Sequence, residues 1–327
     1  MTDPIRWGIL GTGSIAKQFA RGLTAVADAN LLAVGSRAAE TAATFADEFD
    51  VPHRHASYEE LVTDADVDAI YISTPHPFHK DNSILCLKAG KAVLCEKPFA
   101  MNAAEARAVI DVARAEDVFL MEAMWTRYIP AVIRARELVA RGAIGKVRMV
   151  QADFGFRADI NHEGRLFSPA LGGGALLDVG VYVVSFAAMV LGAKPINVES
   201  VTTLGETDVD EQSSIVMRYP GGEQATLSCA VRTNTPVEAT IIGTEGRIRV
   251  HSPFFKAEKL TVLSGGEEQE IEMPMNGNGY NYEAIELGEC LRAGRKESPV
   301  MPLEETIAIM EILDGIRADW GLKYPME

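Results

Sequence analysis

The stretch GILGTGSIA, residues 8–16, leaves this chain few ways to begin folding. An apolar strand, residues 5–10, runs into Gly11 and Gly13, Ala16 holds the third place of a G-x-G-x-x-G/A pattern, and helical spacing starts at Ser14. Each small residue has a physical task. Gly11 permits the tight turn, Gly13 lets a pyrophosphate approach the backbone, and Ala16 lets helix and strand pack closely. The helix N-terminus then offers unpaired N–H groups to an anion, with Thr12, Ser14 and Ile15 completing the loop. A strand, a glycine turn and a helix in this order predict a βαβ unit that binds a dinucleotide.

The rest of the first third keeps the alternation. Strands are expected at 31–35, 69–73, 92–95 and 118–122, and helices at 14–26, 38–49, 78–89 and 102–116, the last with Asn102 as N-cap. Ser57 and Glu60 stand in capping-box spacing. This is the pattern of a doubly wound parallel sheet. After Trp125 it changes. A helix is expected over 128–141, a long strand over 146–156 and a helix from GGGALLDVGVY to about residue 191. Serial strands follow at 196–204, 212–219, 224–232, 237–242, 247–251 and 260–263, then helices in 276–294 and 302–320. The fold class is α/β: a doubly wound domain over 1–124, then an α+β domain over 125–327 with a large, mostly antiparallel sheet.

Composition narrows the function. The 327 residues carry a net charge of −15, which repels phosphate backbones and anionic lipid, so no nucleic-acid or membrane partner is expected. No apolar run is read as long enough to span a bilayer. Cys86, Cys95, Cys229 and Cys290 form no C-x-x-C pair, which predicts free buried thiols. With no apolar signal core ahead of the first strand, a cytoplasmic protein is expected. His76 and His79, with His53 and His55 as further ligands, invite a metal reading, but no Cys or paired acid completes a site, so no metal is expected.

The second strand ends AVGSR. An acid there would bind a ribose 2′-hydroxyl; Ser36 and Arg37 suit a 2′-phosphate instead, so NADP is expected, with NAD possible. Further on, GKAVLCEKPF puts Glu96 and Lys97 just past a strand's carboxyl end, the edge where open α/β sheets bind ligands, and Pro98 biases Lys97 towards an extended backbone. Lys97 there can relay a proton or stabilise an anion. In GGGALLDVGVY, Asp178 and Tyr182 are spaced i, i+4 and share one helix face, with Asp178 favoured by a helix N-terminus. Oxidising an alcohol removes a hydroxyl proton as hydride departs. A phenol can take that proton if an ammonium such as Lys97 makes it more acidic, and Asp178 can orient the substrate hydroxyl or Lys97. The glycines are expected to let the backbone approach the substrate cleft.

GILGTGSIA, STPHPFH, AGKAVLCEKP and GGGALLDVGVY occur in the order seen in the glucose–fructose oxidoreductase/inositol dehydrogenase (Gfo/Idh/MocA) family, which the chain resembles over nearly its whole length. LMEAMWTRYIPA and GIRADWGLKYPME resemble the branch of dihydrodiol and NADP-dependent D-xylose dehydrogenases. The resemblance implies a Rossmann domain, hydride transfer at nicotinamide C4, and a sheet through which the chain forms a homo-oligomer such as a dimer. It implies that Lys97, Asp178 and Tyr182 are catalytic; that Thr74, Pro75, His79, Glu96, Trp125 and Arg127 bind cofactor; and that His76, Trp125, Phe154 and Tyr280 meet substrate. Inositol-dehydrogenase-like members have His where this chain has Tyr182, so the substrate expected is a sugar or cyclic vicinal diol. Reduction of an anhydrofructose-type keto-sugar, or a non-catalytic NADP-binding sensor, is the alternative. Arg157, Asp159 and Arg165 stand open to polyol hydroxyls or to surface ion pairs.

Overall fold

The computed structural model describes residues 3–327. The strands are β1 (Ile5–Leu10), β2 (Ala29–Gly35), β3 (His53–His55), β4 (Ala69–Ile72), β5 (Ala92–Glu96), β6 (Leu120–Ala123), β7 (Val147–Gly155), β8 (Asn197–Leu204), β9 (Asp210–Arg218), β10 (Gln224–Ala230), β11 (Ala239–Gly243), β12 (Gly246–Val250), β13 (Lys259–Ser264) and β14 (Glu267–Glu272). The helices are α1 (Ser14–Leu23), α2 (Ala39–Phe49), α3 (Tyr58–Val62), α4 (His79–Lys88), α5 (Ala103–Ala115), α6 (Pro130–Ala140), α7 (Val181–Leu191), α8 (Tyr280–Arg292) and α9 (Leu303–Trp320).

They form two compact units. One comprises the described residues through Trp125 together with Asn276–Thr306; the other comprises Thr126–Met275 and Ile307–Glu327. The sequence division at 124/125 assigned residues 276–306 to the second domain, whereas in the structure they complete the first. Helix α8 lies against α1, where Asn278 Nδ2 donates to the Gln18 carbonyl (2.8 Å), and the Lys296 carbonyl accepts the Leu120 N–H (3.0 Å).

The first unit's sheet is parallel throughout, in the order β3-β2-β1-β4-β5-β6. Because helices cover both faces of such a sheet, its strands read as continuous apolar runs. Ile9, Leu10, Val34, Ile70, Ile72, Val93 and Leu94 are all fully buried. Strand order reverses between β1 and β4, which opens a crevice at their carboxyl ends. Two caps expected from the sequence form: Ser57 Oγ accepts the Glu60 N–H (3.1 Å) and Asn102 Oδ1 the Glu105 N–H (2.9 Å).

The second unit's sheet runs β14-β13-β12-β11-β7-β10-β9-β8 and is antiparallel except for β7 beside β10. Residues alternate along β9 from Gln212 onward, with Ser213, Ile215 and Met217 buried and Gln212, Ser214, Val216 and Arg218 exposed. Helix α7 packs on the buried face, against β7 and β10. One expectation needs correcting. Pro169–Leu191 is long and apolar enough to cross a membrane, with a mean hydropathy of 2.0, but 83% of its apolar window is buried inside the protein. It is a core helix, apolar all round because the unit surrounds it.

Candidate active site

In the first unit the dinucleotide loop follows β1. Gly11 has φ +102°, its N–H donates to the Gly35 carbonyl (3.0 Å), and a Cβ there would lie 3.0 Å from Ser73 Oγ. Gly13 is the N-cap of α1; no side chain caps the helix, and nothing lies within 4 Å of the position a Cβ would take. Open space before uncapped N–H groups fits a pyrophosphate. Thr12 is half-buried and Ser14 and Ile15 are exposed beside it. At the end of β2, Ser36 hydrogen-bonds Thr41 through the hydroxyls (2.6 Å) and donates its N–H to the His55 carbonyl (3.2 Å). The Arg37 guanidinium lies 5.8 Å from the Phe78 ring centroid. A hydroxyl and a guanidinium therefore stand where the second ribose of a dinucleotide lies in this fold.

Beyond β4, Thr74 and half-buried His76 flank exposed Pro75. His79 is fully buried; its Nε2 lies 2.7 Å from the Thr74 carbonyl and its Nδ1 2.8 Å from the Pro98 carbonyl. Burial lowers its pKa, against the pull of those two carbonyls. With both nitrogens engaged, His79 ties the β4 turn to the Glu96-Lys97-Pro98 turn and makes no metal pair with His76. Glu96, almost fully buried, accepts from the Tyr71 hydroxyl and from the Lys97 N–H (3.1 Å), which fixes the backbone that carries Lys97. Trp125 stacks on Tyr280 of α8 at 4.5 Å between centroids and 14° between planes. Glu283, one turn further along α8, is fully buried, and burial and the Glu96 charge both raise its pKa. Its burial was not legible, because an acid in an amphipathic helix reads as surface.

In the second unit, Asp178 lies in a π-helical turn, Leu176–Gly180, that leads into α7. It is buried, and its Oδ1 accepts from exposed Arg165 Nη1 at 2.7 Å. The sequence had left Arg165 open; the structure makes it the partner of Asp178. Tyr182 is buried within an aromatic group. Phe154 lies 5.3 Å away and Phe255 5.8 Å away, and those two stack on each other at 4.5 Å. Phe255 was missed, since the Phe254-Phe255 pair after Pro253 shows no helical or strand period. Arg127, also buried, donates from Nε and Nη2 to the Ser185 hydroxyl and carbonyl, both at 3.0 Å, and so braces α7.

Two readings of GGGALLDVGVY are extended. Asp178 stands in the first helical turn, and a second acid, Asp210 of β9, joins it there: its Oδ2 accepts the Leu176 N–H at 2.6 Å. Burial pushes its pKa up to about 7 despite the backbone N–H donors and Arg317. The glycines also serve this interior. Gly174 has φ +117°, and a Cβ there would lie 2.2 Å from Asp210 Oδ1, while one on Gly173 would lie 2.9 Å from the Leu166 backbone.

Within the first unit, then, the candidates gather at the carboxyl ends of β1, β2, β4 and β5, where a sheet of this order binds a dinucleotide. Within the second, Asp178, Tyr182 and Phe154 gather where α7 meets β7. Residues 5–124 match the model of an oxidoreductase family with an NAD-binding Rossmann fold, and residues 132–249 match the GFO/IDH/MocA C-terminal domain. The chain is 40% identical to the trans-1,2-dihydrobenzene-1,2-diol dehydrogenase of Mus musculus and 39% identical to that of Homo sapiens, each over 99% of both chains. It is also similar to the crystal structure of the aldose-aldose oxidoreductase from Caulobacter crescentus complexed with glycerol, at 25% identity and a TM-score of 0.88 over 98% of each chain. The chain is an oxidoreductase of the Gfo/Idh/MocA family.

Proposed function

We propose that this chain is an NADP-dependent dehydrogenase acting on a secondary alcohol of a sugar or cyclic vicinal diol, of the D-xylose or trans-dihydrodiol type. The observation that carries the reading is identity near 40% along the whole chain to dihydrodiol dehydrogenases, joined to the presence here of Lys97, Asp178 and Tyr182. Bound at the β1 loop, a nicotinamide dinucleotide supplies the hydride acceptor at its C4. Ser36 and Arg37 favour the 2′-phosphate form, because a guanidinium there pairs with an anion and no carboxylate repels it. Tyr182 takes the hydroxyl proton as the C–H bond breaks, the Lys97 ammonium stabilises the developing oxyanion, and Asp178 accepts a hydrogen bond from the neighbouring hydroxyl. His76, Trp125, Phe154 and Tyr280 bound the substrate. Phe154 and Phe255 offer apolar ring faces beside Tyr182, which suits a compact ring.

The same residues serve reduction, with Tyr182 returning the proton, so keto-sugars belong in the test. Absorbance at the NADPH band is followed with a panel of aldoses, trans-dihydrodiols and keto-sugars. Turnover of a sugar or diol with NADP supports the proposal. Tight NADPH binding without turnover across the panel would identify a sensor instead. We further propose a homo-oligomer closed over the exposed sheet face, where Val201 and Val216 are 70% and 47% exposed. We place it in the cytoplasm, where its four buried free thiols suit a reducing compartment.

A further inference from the structure

Away from the dinucleotide loop, three metal-ligating side chains converge at the edge of the first sheet. Strand β3 is only His53-Arg54-His55, and side chains alternate along a strand, so both histidines share one face. Arg54, on the other face, pairs with Asp47 at 2.9 Å. His53 Nδ1 lies 2.7 Å, and His55 Nε2 2.9 Å, from the same oxygen, Asp64 Oδ2. All three ligand atoms lie within 4.8 Å of one another.

The carboxylate is held for this geometry. Asp64 follows α3, its Oδ1 accepts the Asp66 N–H at 3.0 Å, and its carbonyl accepts from Lys91 Nζ at 2.6 Å. Its side chain is 8% exposed, against 33% for His53 and 21% for His55, so the carboxylate is anchored from within while water reaches the imidazoles. An orienting shell behind the ligands and open positions in front are the marks of a site that can take an ion.

We propose that His53, His55 and Asp64 form a binding site for a divalent transition metal of the zinc, cobalt or nickel kind. Two imidazole nitrogens and one carboxylate oxygen suit these borderline ions, whereas magnesium and calcium take all-oxygen shells. Tetrahedral bonds of about 2.0–2.1 Å set neighbouring ligand atoms roughly 3.3 Å apart. The cluster must therefore open by about half an ångström, which side-chain rotation on a three-residue edge strand accommodates, and water fills the remaining position. The role is structural. The His55 carbonyl receives the Ser36 N–H, so a filled site pins β3 beside the turn that carries Ser36 and Arg37.

The test uses full-length, tag-free protein, stripped with a chelator and desalted, then titrated with Co²⁺. One equivalent should saturate a visible d–d band, and Zn²⁺ should abolish it. A His53→Ala/His55→Ala variant should bind at least about 100-fold more weakly, since losing a residue that merely orients a ligand already costs roughly 10- to 100-fold. His162→Ala, at an exposed histidine elsewhere, should bind as the wild type does. Proton NMR of the Co²⁺-loaded wild type needs no variant: two hyperfine-shifted exchangeable N–H signals are expected, one from each coordinated imidazole. Absence of a stoichiometric d–d band, fewer than two such signals, or equal affinity in the double variant would overturn the site.

Discussion

Replacing Gly174 by alanine tests whether the turn before the Asp178 helix is built around a buried acid. Two costs follow from the geometry. A φ of +117° disfavours any L side chain by about 1–3 kcal/mol. A Cβ 2.2 Å from Asp210 Oδ1 must push that carboxyl aside, and its other oxygen then loses the 2.6 Å bond from the Leu176 N–H. Leaving a buried donor unpaired adds about 1–3 kcal/mol, for a total near 4 kcal/mol. Gly192→Ala is the matched control. It lies at the C-cap of α7 in the same unit, has φ +90°, and has open space around its Cβ position, so only the backbone cost of about 1–3 kcal/mol applies. Urea unfolding followed by far-UV circular dichroism compares the two at equal m-value. If Gly174→Ala loses no more stability than Gly192→Ala, the turn is not packed on Asp210 and the reasoning fails.

Asp210 also predicts a pH dependence. Its folded pKa, raised to about 7, exceeds the ordinary carboxylate value, so its contribution is complete below about pH 4 and is lost as pH rises through 7. Wild type should lose stability relative to Asp210→Asn by up to about 1.4 kcal/mol per pH unit between pH 5 and 7, read from urea midpoints; parallel profiles would refute the assignment. Tyr182→Phe should lower kcat by roughly 10²- to 10⁴-fold while NADPH binding by fluorescence titration persists, and near-normal kcat would remove the phenol from proton transfer. Ser36→Asp should reverse the cofactor preference in the ratio of kcat/KM for NADP over NAD, because the new carboxylate repels a 2′-phosphate and accepts from a 2′-hydroxyl; an unchanged ratio would place recognition elsewhere. Val216→Lys should convert the oligomer to monomer by sedimentation velocity, and an unaltered sedimentation coefficient would free that face.

The first unit was legible where local chemistry and tertiary packing agree. AIYI, and AVLCE up to its final Glu96, are apolar because both faces are covered, and the Ser57 and Asn102 caps act over three residues. Strands β3 and β14 were missed for opposite reasons. HRH is too short to show a period, and EEQEIE reads as a solvated acidic run because it is an exposed edge strand. Within the site, Asp178 and Tyr182 stood out as polar residues in an apolar helix. What surrounds them did not. Arg165 lies thirteen residues before Asp178 across an irregular segment, Asp210 thirty-four after the N–H it accepts, and Phe255 on a different element. Contacts between distant segments leave no spacing to read, and Gly174 took its meaning from one of them.

The first unit is discontinuous in the chain, and that orders its life on the ribosome. Its sheet is complete when Ala123 has been made, but Asn281, Glu283 and Leu287, all fully buried in that unit, are synthesised only after the entire eight-stranded sheet of the other. The nascent dinucleotide domain must wait, its α1 surface uncovered, for the translation of some 150 residues that belong elsewhere. A chain arrested just before residue 276 would present a finished second sheet while each unit still lacked its last segment, 276–306 for the first and 307–327 for the second, so neither half can close until the end of the chain is made.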